Sequence, residues 1–343
     1  MDERLRLKPS WRYVIVLIVL AMTITAIVFV VRAAMPQPIT TAQKTRMMMD
    51  TTVEIRATGP DAEAAVNKAL NAIQNVEDTF SRHLPDSAIA KINANAGEWV
   101  TVPEEVVALI AKAVYYSELT NGAFDISVGN LINLWGFGSG VQHIPSASEI
   151  EQALATVDYS AIEIDQENNR IRIPKGMIID LGAIAKGYAI EQACKVLREH
   201  KVISGMVYAG GDIATIGAKL DGTPWRVAIQ HPRKSTEYLA ILEMVDQSIV
   251  TSGDYERYFI ANGVRYHHIL DPHTGYPARG LISVTILGKS ATDTDALSTA
   301  IFVLGMEAGQ KLIESLDGFE AVLVDEQGNI WVSPGLRDQI KIL

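Results

Sequence analysis

An uncharged apolar run close to the N-terminus limits what this chain can become. Residues 13–31 (YVIVLIVLAMTITAIVFVV) contain no charged side chain. As a helix, the run is about 28 Å long, which matches the hydrocarbon thickness of a bilayer. A cleavable signal peptide has a shorter apolar region of roughly 7–15 residues, although Ala33 and Ala34 would suit a cleavage site. We therefore expect a retained transmembrane anchor, with a cleaved signal peptide as the alternative.

The basic residues around this run predict its orientation. Four of them lie within residues 1–12, whereas Arg32 alone follows immediately. An excess of Lys and Arg marks the cytoplasmic side of a membrane helix. We expect a single-pass protein of the cytoplasmic membrane, with residues 1–12 in the cytoplasm. Residues 32–45, which are polar and contain two prolines, read as a linker to an extracytoplasmic domain over residues 46–343, on the periplasmic side or the cell surface.

Charge and cysteine content exclude two classes of protein. The formal net charge is −10 at pH 7, opposite in sign to a nucleic-acid-binding surface, so we expect no nucleic-acid partner. Cys194 is the one cysteine, so no intrachain disulfide can form. The domain must be stabilised by its apolar core, for which a hydrophobic content of 48% is sufficient.

The hydrophobic pattern predicts an α+β fold with mixed or antiparallel sheets and segregated helices. Apolar residues recur at helical spacing in several segments, namely residues 61–80, 103–119, 183–198, 295–304 and a helix opened by the capping-box spacing of Ser146 and Glu149. Strand-like runs follow from about residue 161, namely a hairpin of 162–164 with 171–173, and residues 202–208, 226–229, 239–245, 264–270, 282–287 and 321–324. Runs of strands interrupted by a few helices favour this class over a doubly wound sheet.

Residues 180–188 (DLGAIAKGY) join an apolar strand to an amphipathic helix. Such a junction presents backbone N–H groups and a helix N-terminus to an anion, and glycine lets a phosphate approach closely. Lys186 adds a positive charge. The alternative is a tight turn in which Asp180 is a simple cap.

Asp295 and Thr299 are four residues apart near a predicted helix start, so their side chains share one face. A carboxylate and a hydroxyl are hard oxygen ligands that suit Mg²⁺. The alternative for Asp295 is an acid that offsets the helix dipole.

The segment 266–275 (YHHILDPHTG) follows a strand and contains three histidines. Adjacent residues of a strand point to opposite faces, so His267 and His268 cannot serve one site. No second cluster of His and Cys has zinc-ligand spacing. One histidine acting as a general base stays open.

In their order along the chain, these motifs resemble the ApbE family, the FAD:protein FMN transferases. The resemblance runs from about residue 47 to 335 and is carried by residues 49–52 (MDTT), Ser81 with Asp86-Ser87, and residues 122–125 (GAFD), 134–137 (LWGF), 180–188, 210–212 (GGD), 251–254 (TSGD), 268–275 (HILDPHTG) and 294–305. Two positions depart from the family pattern. Asp50 stands where the family usually has glycine, and His83 stands where many members have an aromatic residue.

The resemblance implies an enzyme that transfers FMN from FAD to a threonine or serine hydroxyl of an acceptor protein and releases AMP. It implies Mg²⁺ held by the backbone carbonyl of Ala183 and the side chains of Asp295 and Thr299. It also implies FAD contacts from a set of residues along the chain, namely Met49, His83, Ala123, Phe124, Asp125, Asp180, Lys186 and Ile269. Acceptors would be flavoproteins or exposed subunits of membrane redox complexes.

The acceptor hydroxyl needs a group that takes its proton, and we assign this role to His268 as a hypothesis. Two other functions share the donor half of the reaction. One is a Mg²⁺-dependent pyrophosphatase that gives FMN and AMP with water as acceptor, and the other is a flavin carrier without turnover. If the family resemblance holds, we expect the flavin to lie between two lobes of the domain.

Overall fold

The computed structural model describes residues 9–34, 38–137 and 141–343. The chain forms two compact units, Met1–Ile39 and Thr40–Leu343. The helices are α1 (Pro9–Ala34), α2 (Ala62–Phe80), α3 (Ala88–Ala94), α4 (Glu104–Leu119), α5 (Gly129–Trp135), α6 (Ala147–Leu154), α7 (Ala185–Glu199), α8 (Ala291–Leu304) and α9 (Met306–Ser315). The strands are β1 (Ile39–Met48), β2 (Thr51–Pro60), β3 (Val100–Thr101), β4 (Glu163–Asp165), β5 (Arg170–Arg172), β6 (Ser204–Ala209), β7 (Asp212–Ile216), β8 (Trp225–Gln230), β9 (Tyr238–Met244), β10 (Ser248–Gly253), β11 (Tyr258–Ala261), β12 (Val264–His267), β13 (Leu281–Gly288), β14 (Glu320–Asp325), β15 (Ile330–Val332) and β16 (Ile340–Ile342).

Helix α1 contains the apolar run that the sequence predicts as an anchor. Among the residues that the structure describes, no helix meets the length and hydropathy of a membrane span. The membrane anchor therefore stays a prediction. Residues 1–8 of the predicted cytoplasmic segment and residues 35–37 of the predicted linker lie outside the described residues.

The second half of the predicted linker is a strand. Strand β1 begins at Ile39 and runs to Met48, so residues 39–45 belong to the sheet and not to a linker. The polar composition of this segment suggested a linker. It arises because β1 is at the edge of the sheet, where most of its side chains are exposed. An edge strand needs few apolar residues because it buries little surface.

The largest sheet of the described residues has eight strands, in the order β1-β2-β6-β7-β10-β13-β14-β15. Every pair of neighbours from β2 to β15 is antiparallel. The strands also follow one another across the sheet in their order along the chain, and the helices and the strands of smaller sheets are inserted between them. This arrangement confirms the predicted α+β class with antiparallel sheets.

Helices and a second sheet cover the two faces of this large sheet. Helices α2, α7 and α8 pack on one another and on strands β2, β6, β10 and β13. On the other face, apolar residues of β10, β13 and β14 pack against those of β8 and β9 in a smaller sheet of order β16-β9-β8. Strand β13 is buried along its whole length because both of its faces are covered.

Residues 40–343 form one compact unit and not the two lobes that the sequence led us to expect. The physical reason is that the large sheet is continuous. It carries the main apolar cluster on its helical face and a smaller cluster on its other face, so no boundary separates two bodies.

Candidate functional site

A cavity of about 530 Å³ lies where several loops meet at one end of the helical layer. Its size is within the range of about 300–1,000 Å³ that is typical of ligand pockets. The structure brings every site residue named from the sequence to the wall of this cavity, namely Met49, His83, Ala123, Phe124, Asp125, Asp180, Ala183, Lys186, His268, Ile269, Asp295 and Thr299. These residues come from segments more than 200 positions apart in the chain.

The strand-to-helix junction after Asp180 forms one side of the cavity. The Gly182 N–H donates to Asp180 Oδ1 (2.6 Å), so Asp180 holds the turn rather than capping the helix. Helix α7 begins at Ala185 without a side-chain cap. Two N–H groups of its first turn already have protein acceptors, because Ala185 donates to the Leu181 carbonyl (2.8 Å) and Gly187 donates to Asp295 Oδ2 (2.7 Å). The anion site at this helix end therefore stays a prediction.

A cluster of buried charges lies beside this junction. Lys186 Nζ is 2.6 Å from Asp212 Oδ2, and Asp212 is 1% exposed. The Thr251 N–H donates to the other oxygen of Asp212 (3.1 Å). Burial, together with the negative charge of Asp212, raises the pKa of Asp295 to about 7, although Lys186 opposes the shift. Two buried carboxyl groups, Asp212 and Asp295, thus share the single positive charge of Lys186, so the cluster has an excess of acidic groups.

Helices α7 and α8 cross very closely next to Asp295. The Gly187 N–H donates to Asp295 Oδ2 (2.7 Å). A Cβ atom at Gly187 would lie 2.2 Å from the carbonyl oxygen of Ala291, so only glycine allows this contact. The glycine therefore fixes where the Asp295 carboxylate sits.

Asp295 is one turn inside its helix and not at the helix start. Helix α8 begins at Ala291, and Ser290 caps it by accepting from the Asp293 N–H. The alternative role of Asp295 as a dipole-compensating residue of the first turn is therefore wrong. Its carboxylate lines the cavity together with the half-buried Thr299, whose hydroxyl lies 3.4 Å from Ser252 Oγ.

The residues present fit a Mg²⁺ ion. The Ala183, Asp295 and Thr299 positions supply a carbonyl, a carboxylate and a hydroxyl on one cavity, and the local excess of negative charge favours a cation. Among residues 9–34, 38–137 and 141–343, no group of three or more His, Cys, Asp or Glu side chains is placed to hold a metal. Such a sparse set suits Mg²⁺, which takes its remaining ligands from water and substrate phosphates.

His268 enters the cavity with its tautomer set by the backbone. Its Nδ1 is 3.2 Å from the carbonyl oxygen of Arg257, which can only accept, so Nδ1 carries the proton. The unprotonated Nε2 is left as a proton acceptor. Burial and the charge of Arg257 hold the pKa of His268 below its usual range, so the ring is neutral.

The neighbouring histidine faces the other way, as predicted. His267 is 2% exposed, does not line the cavity and contacts the carbonyl oxygen of Ala278 through Nε2 (2.9 Å). At the end of β12 the two adjacent histidines therefore point to opposite sides, with His267 buried away from the cavity and His268 on its wall.

The turn between β1 and β2 brings Met49 to the cavity. Met49 and Asp50 both have a left-handed backbone, with φ of 51° and 58°. Glycine adopts this conformation readily and aspartate tolerates it, which explains how Asp50 can stand where the family usually has glycine.

Asp125 is held by three donors on the opposite wall. The Ser127 N–H and hydroxyl donate to Oδ1 (both 2.7 Å), and the Tyr159 N–H donates to Oδ2 (3.3 Å). Burial raises the pKa of Asp125 even though these donors oppose the shift. Its position is therefore rigid, and it can orient a ligand that donates a hydrogen bond.

Residues 49–323 match the ApbE family. The chain belongs to the ApbE family. It is 34% identical over 310 residues to the FAD:protein FMN transferase of Treponema pallidum, which covers 85% of this chain and 86% of the relative. It is 35% identical over 248 residues to the FAD:protein FMN transferase of Vibrio cholerae, covering 71% of this chain and 74% of the relative. Its structure is similar to the crystal structure of the ApbE protein of Thermotoga maritima, with a TM-score of 0.83 and 38% identity over 88% of this chain and 99% of that chain.

Sequence reasoning missed several residues of this ApbE-family site. Arg82 lies on the cavity wall with its Nε 2.5 Å from Asp180 Oδ2, and its side chain is only 8% exposed. Ser252, Glu256 and Arg257 also line the cavity. Arg82 had a usable signal, since a charged residue directly after a buried helix end needs a partner. Ser252 lies within β10, in the motif 251–254 that carries the family resemblance but was given no role, whereas Glu256 and Arg257 follow this strand and had no signal.

Proposed function

We propose that this chain is a FAD:protein FMN transferase that uses Mg²⁺ to move FMN from FAD to a threonine or serine hydroxyl and releases AMP. Family membership and the activity for which the relatives are named support the transfer of FMN to protein. The convergence of all twelve named residues on one cavity is the observation that carries the proposal for this chain.

The reaction needs alignment and charge neutralisation more than covalent help from the protein. The acceptor oxygen bonds to the phosphorus of the FMN half of FAD while the bond from that phosphorus to the bridging oxygen breaks. AMP leaves with the bridging oxygen. The proton of the acceptor hydroxyl passes to Nε2 of His268, which is neutral and faces the cavity.

Charge that develops on the pyrophosphate meets positive groups of the site. Lys186 lies in the first turn of α7, is held in place by Asp212 and supplies this positive charge. Mg²⁺ bound by the Ala183 carbonyl, Asp295 and Thr299 would supply the remaining neutralisation of the phosphates.

The rest of the cavity would hold the flavin and orient it. Met49 and His83 lie on one wall, and Ala123, Phe124 and Asp125 lie on another. The imidazole of His83 offers a flat face for stacking where relatives often have a larger aromatic ring. Asp180 and Ile269 complete the set of proposed FAD contacts.

The N-terminal run places this chemistry outside the cytoplasm in our proposal. Residues 13–31 would anchor the chain in the cytoplasmic membrane, with the catalytic unit on the periplasmic side or the cell surface. Acceptors would then be extracytoplasmic flavoproteins or exposed subunits of membrane redox complexes.

The test uses the full chain in detergent with FAD, Mg²⁺ and a protein that exposes threonines. Flavin fluorescence of the acceptor after denaturing electrophoresis, with AMP measured in parallel, is the readout. We expect a fluorescent acceptor that disappears with EDTA and with Asp295→Asn. Asp293→Asn is the matched control, because Asp293 is on the same helix but pairs with Lys112 away from the cavity, and it should retain activity.

Two other outcomes would overturn the proposal. AMP and free FMN without a labelled protein, across several acceptors, would show a pyrophosphatase. Tight FAD binding without either product would show a flavin carrier.

A further inference from the structure

A β-hairpin stands directly beside the proposed active site. Strands β11 and β12 form a two-stranded sheet of their own, joined by Asn262 and Gly263 with φ of 52° and 76°. Positive φ at both positions is typical of the tight turn that matches the twist of a hairpin. Arg257 precedes the hairpin and His268 follows it, and both line the cavity. The hairpin therefore leads from the protein surface to the proposed base.

One face of the hairpin is fixed to the domain by aromatic packing. Phe259 and Tyr266 are opposite each other and stack with ring centroids 5.3 Å apart. Tyr266 stacks in turn on the buried Trp135 (5.5 Å). The inner end of the hairpin is thus rigid, although an isolated two-stranded hairpin is only marginally stable in water.

The hairpin exposes apolar side chains along its length. Ile260 is 63% exposed and Val264 is 41% exposed, and Tyr258 is 39% exposed. Tyr258 and Ile260 lie two residues apart on one face of β11, and Val264 lies on the other face of the hairpin. A single exposed apolar side chain needs no explanation, but two neighbours on one face are typical of an interaction surface.

The backbone of β11 has an unpaired edge. The His268 N–H donates to the Arg257 carbonyl (3.0 Å), which makes these two residues a hydrogen-bonded pair of the ladder. Pairing alternates along an antiparallel ladder, so the N–H and C=O groups of Tyr258 and Ile260 point away from β12. Within the part of the chain that the structure describes, no other strand pairs with β11. An open edge of this kind is a template for an added strand.

A positive charge lies at the inner end of this edge. Arg233 and Arg265 share the buried Asp254, at 2.6 Å and 3.2 Å. Arg257 is exposed and, among the described residues, has no carboxylate within ion-pair distance. In a chain with a net charge of −10, an unpaired arginine at the cavity entrance favours a partner that brings a negative charge.

We propose that the outer edge of β11 is the docking site for the acceptor protein. An extended acceptor segment pairs with Tyr258 and Ile260 as a third strand, and an acidic residue near its hydroxyl residue pairs with Arg257. Three residues of strand, at about 3.3 Å each, lead from Ile260 to Arg257. The residue with the acceptor hydroxyl therefore lies about three to four positions along the acceptor segment from the residue that pairs with Ile260. This inference rests on the proposed function.

The test uses the full chain with FAD, Mg²⁺ and three short peptides that share one central threonine. The residues on both sides of the threonine are aspartate in the first peptide, serine in the second and lysine in the third. Ile260→Pro removes the outward N–H and blocks strand addition without breaking the ladder to β12. Ile260→Ala is the matched variant, because it removes the apolar side chain and keeps the edge.

We expect the aspartate peptide to have the lowest KM and the lysine peptide the highest. Loss of the hydrogen bond from the Ile260 N–H, together with the clash of the proline ring with an added strand, should raise the KM for the aspartate peptide roughly tenfold in Ile260→Pro and clearly less in Ile260→Ala. The KM for FAD and the slow release of AMP without peptide should not change in either variant, which also shows that both are folded.

Three results would overturn the inference. These are equal KM values for the aspartate and lysine peptides, an unchanged KM in Ile260→Pro, or a wild-type protein that splits FAD but labels none of the peptides. A wild-type protein that neither splits FAD nor labels a peptide or protein would instead refute the proposed function, and the docking site with it.

Discussion

The ion pair of Arg82 with Asp180 offers a quantitative test of how the site is held together. The two side chains are 8% and 15% exposed, with Arg82 Nε 2.5 Å from Asp180 Oδ2. Arg82 Nη1 also donates to Asn133 Oδ1 (2.8 Å). Arg82→Met keeps an apolar stem of similar length but removes the charge and both contacts. Asp180 is then left mostly buried with the Gly182 N–H as its remaining donor.

Removing one partner of a buried ion pair costs about 3–5 kcal/mol of unfolding free energy, because the other charge stays desolvated. Asp180 also borders the cavity and can recover some hydration, so we expect the lower end, about 3 kcal/mol. Arg172→Met is the matched control. Arg172 pairs with Glu163 at a surface where the two side chains are 38% and 51% exposed, and such pairs contribute little to stability because solvent screens the charges.

Urea unfolding of the wild type and both variants at pH 7 would measure the two costs. The double variant Arg82→Met/Asp180→Asn should lose less than the sum of its single changes, because no unpaired charge remains. If Arg82→Met destabilised the protein no more than Arg172→Met, the argument from burial would be refuted. If the double variant instead lost the sum of the two single losses of unfolding free energy, Arg82 and Asp180 would not be energetically coupled.

The remaining predictions concern the proposed base and the helix crossing. His268→Ala should lower the rate of FMN transfer by about 10²–10⁴-fold at saturating FAD, and a near-normal rate would rule out its role as base. Because the pKa of His268 is lowered, its proton-accepting form persists as pH falls. At saturating Mg²⁺, which would keep the Asp295 carboxylate ionised, the wild-type rate should therefore stay flat from pH 8 to 6. An imidazole with the ordinary pKa of about 6.5 would instead lose about fourfold over that range, and such a loss would contradict the burial argument. Gly187→Ala should destabilise the protein by about 1–3 kcal/mol in urea unfolding and raise the Mg²⁺ concentration needed for activity, since the new Cβ would lie 2.6 Å from the Cβ of Asp295. An unchanged midpoint and unchanged Mg²⁺ dependence would show that the two helices can separate freely.

Much of the local structure could be predicted from the sequence. The capping box of Ser146 and Glu149 opens α6 with both of its hydrogen bonds, and the alternation of His267 and His268 is as predicted. The long amphipathic helices agree with the prediction to within a few residues. These features depend on hydrogen bonds and periodicities that span only a few residues, so a local pattern is enough to determine them.

Other strands were missed because their local pattern is ambiguous. Strand β7 follows directly after two glycines, and because a glycine pair usually marks a turn, the pair hides the strand that follows it. Strand β10 contains Ser, Thr and Gly that have polar contacts with β13 and α8, as in the pair of Ser252 with Ser298 at 2.8 Å. Residues 248–253 form a strand because they pair with β7 on one side and with β13 on the other.

The sequence by itself determined which residue types the site would contain and the family pattern that connects them. Only the tertiary structure decided how they meet: Lys186 against Asp212, Arg82 against Asp180, and the Gly187 N–H against Asp295. These partners are separated by 26, 98 and 108 positions in the chain. Contacts at such separations are set by how the helical layer packs on the continuous sheet, and no property of a short segment contains that information.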